Sequence, residues 1–192
     1  AFIQKNQFLP RASAGVFFTV EWDLSVPTLP VFDPDRQDTF HENLDRERIV
    51  PDLIDQPPIF HVIYKYGDRF GDIRKDFSTA EVSGKPDFLF WPEVLDVLYT
   101  LVFINLDAPN PAYVHWMVIN IPGADLASGQ EVLAFEPPRA TGGKNRFIFV
   151  ALEQERRLSP SVAPSSRSGF NLRQFIAANA YDVFAVGYFV IG

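Results

Sequence analysis

No cysteine occurs among the 192 residues, which excludes disulfides, thiol nucleophiles and thiolate metal sites. A cysteine-free chain fits a reducing, intracellular compartment, mitochondrial or cytoplasmic, without choosing between the two. Histidine is scarce as well. His41, His61 and His115 lie in separate elements, without the spacing of a metal-ligand set. The longest apolar runs are far too short to span a bilayer, so no transmembrane segment is expected. No apolar signal core or Arg-rich leader follows Ala1; a processed or trimmed product would read the same way, so targeting is not legible. Catalytic signatures are missing too: there is no G-x-S-x-G, H-E-x-x-H, Walker A or dinucleotide fingerprint. Serine is plentiful, but none sits in a nucleophile context. The expectation is a chain without catalytic residues, cofactor or metal, and not an enzyme.

What is present is apolar bulk. Hydrophobic residues make up 47% of the chain and include 19 Phe, enough for a sizeable core. The length fits one domain with some residues left for an extension. Net charge is −7, so phosphate backbones and anionic membranes gain no long-range attraction, although a local basic patch around Arg139, Lys144 and Arg146 remains.

The chain is organised around Leu98–Gly123. Two apolar runs, Tyr99–Ile104 and Trp116–Ile121, are rich in β-branched and aromatic residues and read as buried strands. The polar turn between them carries Asp107, Pro109, Pro111 and His115, and a scaffold holding both ends of a loop can fix an acid and an imidazole at a set separation.

Elsewhere, Val16–Trp22 reads as a strand that presents Phe17, Thr19 and Glu21 on one face. Pro27, Pro30 and Pro34 rule out helix and mark an extended connector. The charged stretch Asp35–Arg48 reads as a solvated face or short surface helix. From Pro51 the pattern is β-rich. Phe60–Tyr64 reads as one strand, Tyr66-Gly67-Asp68 as a hairpin turn, Phe88–Trp91 as a strand ended by Pro92, and Arg146–Leu152 and Val183–Ile191 as further strands. Val132–Phe135 pairs briefly, and Glu155–Gly169 is a surface loop. Leu172–Ala178 is the clearest helix, capped by Asn171 with Leu172, Phe175 and Ile176 on one face. Short strands punctuated by turns predict a mainly β sandwich or barrel-like core.

Several motifs carry a family resemblance. Leu106-Asp107-Ala108-Pro109 followed by His115 and Val118-Ile119-Asn120 resembles the first signature, D-P-D-A-P, of the phosphatidylethanolamine-binding protein (PEBP) family. Gly143–Phe147 running into Val150–Gln154 is similar to the second signature, G-x-H-R. Val50–Asp55 and Ser166-Arg167-Ser168-Gly169 add further matches, in the family's order over roughly residues 45–190. The resemblance implies a PEBP-like fold: a large central antiparallel sheet with a smaller sheet and a few short helices. It divides the chain into an extension, residues 1–45, and a PEBP-like domain, residues 46–192. Phe18–Asp23 with Val26-Pro27 also looks like the family's final A-E-W-D-D and V-P segment. The chain is either rearranged relative to the family or carries a chance match there.

In the family a small cavity binds phosphate or phospholipid headgroups, and the resemblance implies ligand-binding positions. By position these are Asn105, Asp107, His115, Asn145 and Phe147. Asn105 stands where the family has the first Asp of its acidic signature, and Asn145 where it has the second pocket His. Phe147 replaces a frequent Tyr. An amide cannot become cationic and Asn105 cannot act as a carboxylate, so the pocket reads as degenerate for anions. Two readings follow. One is a structural or protein-interaction component of a large assembly. Here Tyr113–Trp116, Asn120–Gly123 and Gly129-Gln130 resemble PEBP-like mitochondrial ribosomal large-subunit proteins, which implies protein partners within a ribonucleoprotein particle. The other is a binder of anionic headgroups, or a regulator of partner proteins.

Overall fold

The two apolar runs form the strands that their composition predicts. In the computed structural model, β-strands and helices are described for residues 34–192, apart from residues 110–111, 140–141 and 180. The predicted strand at Val16–Trp22 lies outside the described residues. In chain order the elements are α1 Pro34–Arg46, α2 Ile49–Asp52, β1 Phe60–His61, β2 Ile63–Tyr66, β3 Arg69–Gly71, β4 Phe88–Phe90, β5 Leu98–Asn105, β6 Tyr113–Pro122, β7 Gln130–Leu133, β8 Asn145–Gln154, α3 Leu172–Asn179 and β9 Asp182–Ile191. Six strands form one sheet in the order β1-β9-β8-β5-β6-β7, and three form a smaller sheet in the order β3-β2-β4. Residues Pro34–Gly192 are one compact unit.

The central strands β5 and β8 read as near-continuous apolar runs because both of their faces are covered. One face packs on the helices: Phe40 of α1, Leu53 just after α2 and Phe175 of α3 cluster with Val102, Ile104, Ile148 and Val150. The other face packs on the small sheet, through Tyr64, Tyr66 and Trp91 against Tyr99, Phe103, Phe149 and Phe189. More than half of the buried residues of this second layer are aromatic. Phe103 stacks on Phe149 with centroids 4.2 Å apart, and Phe147 on Phe189 at 5.4 Å.

Three local readings are corrected. The run Phe60–Tyr64 is not one strand: it leaves the large sheet after His61 and enters the small one at Ile63, with the Val62 amide donating to the Val186 carbonyl at the crossing. The sheet is also mixed, because β1 pairs parallel with β9. Pro34 opens α1 instead of extending a connector; a first helical position needs no N–H, so proline is tolerated there. The charged stretch is helical as read, and its i, i+4 pair Phe40 and Leu44 is fully buried. Asn171 caps α3 as expected, its Oδ1 accepting from the Gln174 amide at 3.0 Å. The two-residue turn Gly67-Asp68 joins β2 to β3, with Gly67 at φ 56°.

Candidate functional site

The five positions named from the sequence gather at one end of the central strands. Asn105 ends β5, in register with Phe147 on β8 on one side and with Tyr113 on β6 on the other. Alternation along β5 and β8 places Asn105, Asn145 and Phe147 on the face toward the small sheet. His115 joins them there, its ring 5.3 Å from Phe147 and 5.6 Å from Phe103. Asp107 turns away to a different set of partners.

The two asparagines that stand in for ionisable residues bond to each other. Asn105 Nδ2 donates to Asn145 Oδ1 at 3.2 Å, and Asn145 Nδ2 donates to the Gly143 carbonyl at 3.0 Å. The Asn105 Oδ1 accepts from the Asp107 amide at 2.9 Å, which shapes the turn. Both side chains are buried. Asp107 is held by Arg146: Nε donates to Oδ2 at 2.8 Å, Nη2 to Oδ1 at 2.5 Å, and the Arg146 amide to Oδ2 at 2.7 Å. This fork raises the Arg146 pKa further, with burial opposing it. Arg146 Nη1 also donates to the Glu47 carbonyl at 2.5 Å, tying β8 to the end of α1.

His115 belongs to a network that the sequence reading missed. Its Nδ1 lies 3.0 Å from the Glu136 carbonyl. A carbonyl only accepts, so Nδ1 carries the proton and Nε2 keeps its lone pair in the neutral ring. The Glu136 carboxylate accepts from the Tyr113 hydroxyl at 2.5 Å and forms an ion pair with Arg167, its oxygen 3.1 Å from Nε. Arg167 Nη1 donates to the carbonyls of Val114 and His115, both at 3.1 Å, and Nη2 to that of Ala134 at 2.8 Å. Arg167 lies within the quoted Ser-Arg-Ser-Gly match, so a signal for it existed. Glu136, beside Pro137-Pro138, gave none.

Burial pushes the His115 pKa below its ordinary value, against the opposing hydrogen bond to Glu136. A histidine whose folded pKa is depressed binds fewer protons in the native state than in the unfolded one. Its contribution to stability is therefore complete above the unfolded pKa of about 6.5 and is lost as pH falls from there through the lower folded value. The midpoint of thermal unfolding should drop between pH 7.5 and 5.0, and the drop should be shallower in His115→Gln. Equal slopes in the two proteins would remove His115 as the titrating group.

One open depression of about 610 Å³ adjoins Arg146, on the side away from His115, lined by Pro51, Asp52, Asp55, Leu106 and Arg173. Among the described residues no three His, Cys, Asp or Glu side chains are grouped to hold a metal ion. No helix among them is long and apolar enough to cross a membrane.

The model of the phosphatidylethanolamine-binding protein family matches residues 77–188, and the chain belongs to that family. Protein TERMINAL FLOWER 1 of Arabidopsis thaliana is 34% identical over 146 residues, covering 71% of this chain and 80% of that protein. Protein SELF-PRUNING of Solanum lycopersicum is 35% identical over 111 residues, 54% of this chain; the chain spans only 63% of that relative's length. Among solved structures, carboxypeptidase Y inhibitor complexed with its cognate proteinase superposes with a TM-score of 0.72 at 15% identity, covering 82% of this chain and 97% of that one. The phosphatidylethanolamine-binding protein of Plasmodium vivax gives 0.63 at 17% identity, covering 78% and 95%. The fold is mainly β and of the PEBP type, as the sequence motifs imply.

Proposed function

We propose that this chain is a non-catalytic PEBP module that acts by binding and regulating a partner protein. The observation that carries this reading is that the polar groups at the family's ligand positions already have hydrogen-bond partners within the protein. Asn105 and Asn145 pair, Asp107 is spent on Arg146, and the His115 Nδ1 proton is spent on the Glu136 carbonyl. A phosphate entering there would meet a neutral imidazole whose remaining nitrogen is an acceptor, and two uncharged amides that each already donate one N–H within the protein. Headgroup binding is therefore weak in this reading. Partner binding has a parallel in the carboxypeptidase Y inhibitor, whose structure is a complex with its proteinase. A ribosomal role finds no support in the matches to TERMINAL FLOWER 1 and SELF-PRUNING.

Two measurements test it. Calorimetric titration with phosphoethanolamine should give millimolar binding or none. Micromolar binding that is lost in His115→Ala would restore headgroup binding as the function. The full chain, tagged and isolated from its own cells, should bring down one partner protein in stoichiometric amount. The purified pair should then reassemble with an affinity that phosphoethanolamine does not change.

A further inference from the structure

The end of the large sheet opposite His115 carries an apolar surface that the candidate site does not use. There β5 begins at Leu98 and β9 at Asp182, and β1 enters with Phe60 in register with Ala185. Rings run across this end in contact: Phe60 lies 4.8 Å from Phe184, and Phe184 lies 5.0 Å from Tyr99. Phe60 and Phe184 are only partly buried, and Ile59 beside them is 64% exposed. The turn Pro92–Val97 closes over Tyr99 and presents Val94 at 48% and Leu95 at 86% exposure.

That turn is tightly held. The Val94 amide donates to the Tyr99 hydroxyl at 3.1 Å, the Val97 amide to the Val94 carbonyl at 3.3 Å, and the Gly123 amide to the Val97 carbonyl at 3.1 Å. The Glu93 carboxylate accepts from the Ala124 amide at 2.7 Å and fills the space where a Cβ on Gly123 would lie. Asp96 takes φ 63°, a left-handed conformation that costs energy for a non-glycine residue. The turn holds Leu95 out in a fixed position, so little backbone entropy remains to be lost on binding.

The rim is acidic. Glu93 and Asp96 flank Leu95 in the turn, and Glu153 on β8 sits in register with both Tyr99 and Asp182. Carboxylates around an apolar centre disfavour an anionic membrane, and they disfavour a second copy, which would bring the same charges face to face. The strand edges next to this surface, β1 and β4, are two and three residues long and offer too little main chain for strand addition. A basic amphipathic helix satisfies both features, because its Leu-type side chains cover the apolar centre and its flanking Lys or Arg reach the carboxylates. Leu95 would enter the gap between side chains at i and i+4.

We infer that the surface formed by Ile59, Phe60, Val94, Leu95 and Phe184 docks a basic amphipathic helix of a partner protein. The inference rests on the partner-binding reading and gives it a surface and a chemistry. The test uses the full chain and a fluorescein-labelled Leu/Lys helix of ~14 residues, about four turns. Anisotropy should give a Kd of about 10–100 μM, weakening as salt is raised. Leu95→Asp should weaken binding about tenfold or more and Asp96→Asn about twofold, while a scrambled peptide of the same composition should not bind. Leu95 is solvent-exposed, so Leu95→Asp should keep the wild-type melting curve. An equal affinity in Leu95→Asp, or equal binding of the scrambled peptide, overturns the inference. So does a dimer in sedimentation velocity that Leu95→Asp dissolves, which would assign the surface to a second copy. A natural partner complex that survives Leu95→Asp leaves partner binding intact and removes this surface from it.

Discussion

Gly187→Ala should lower the melting temperature by about 6–12 °C, the shift expected for roughly 3 kcal/mol in a domain of this size. Gly187 lies in β9 opposite Phe149, where the chain crosses from the large sheet to the small one. A Cβ there would stand 2.1 Å from the Val62 carbonyl oxygen and 3.0 Å from its carbon. Both atoms are backbone, and Val62 is fixed by the hydrogen bond that its N–H donates to the Val186 carbonyl at 2.9 Å. The neighbour cannot turn aside as a side-chain tip would. Relief requires β1 and β2 to move off β9, which opens the aromatic layer beneath Tyr64. Gly84→Ala is the control, since nothing lies within 4 Å of a Cβ at that position. Differential scanning calorimetry on both variants decides the matter. A Gly187→Ala protein melting within about 2 °C of the parent would show that the crossing is not close-packed.

The same crossing shows where sequence reading reached its limit. Phe60–Tyr64 is rich in aromatic and β-branched residues, as a strand is, and nothing in those five residues announces a change of sheet. The information sits about 125 residues later, in a glycine within Val183–Ile191 that an isolated reading takes for an ordinary weak point in a strand. Strand existence was legible at β5, β6, β8 and β9 because β-branched and aromatic runs between turn residues are a local signal. The α1 helix was half legible. Its charges dominate the pattern, and Phe40 and Leu44 reveal their burial only once Leu53 and Tyr188 are placed against the same face.

At the candidate site the motif order located the end of the sheet where Asn105, His115, Asn145 and Phe147 meet. It did not reveal what each group bonds to. Asn105 and Asn145 are 40 residues apart and complement each other as donor and acceptor, a relation visible only across the β5–β8 ladder. The Glu136 network was hidden for a related reason. Its carboxylate joins Tyr113 on β6 to Arg167 in a distant loop, and neither spacing is a motif. Partner choice in a sheet is set by register, and register is a property of the whole fold.

Asp107 and Arg146 should prove to be one structural unit. Arg146→Ala removes the fork to Asp107 and the bond to the Glu47 carbonyl, and it leaves Asp107 and the nearby Asp52 without their shared cation. The Arg146 side chain is 14% exposed and that of Asp107 24%, so water repairs part of the loss. The cost should be about 2–3 kcal/mol, below the range for a fully buried pair with one partner deleted. Asp107→Ala should cost a similar amount, because the Arg146 amide and guanidinium both lose their acceptor. The double variant should be little worse than either single one, giving a coupling energy of about 1.5–2.5 kcal/mol by urea denaturation. Additive losses would mean that the two residues act independently. The cycle also separates the roles open to the acidic signature. A carboxylate kept for a ligand would leave stability unchanged in Asp107→Ala while abolishing binding. A carboxylate kept to fasten β8 to the turn after β5 would lower stability by the amount given, with phosphoethanolamine affinity as weak after the substitution as before it.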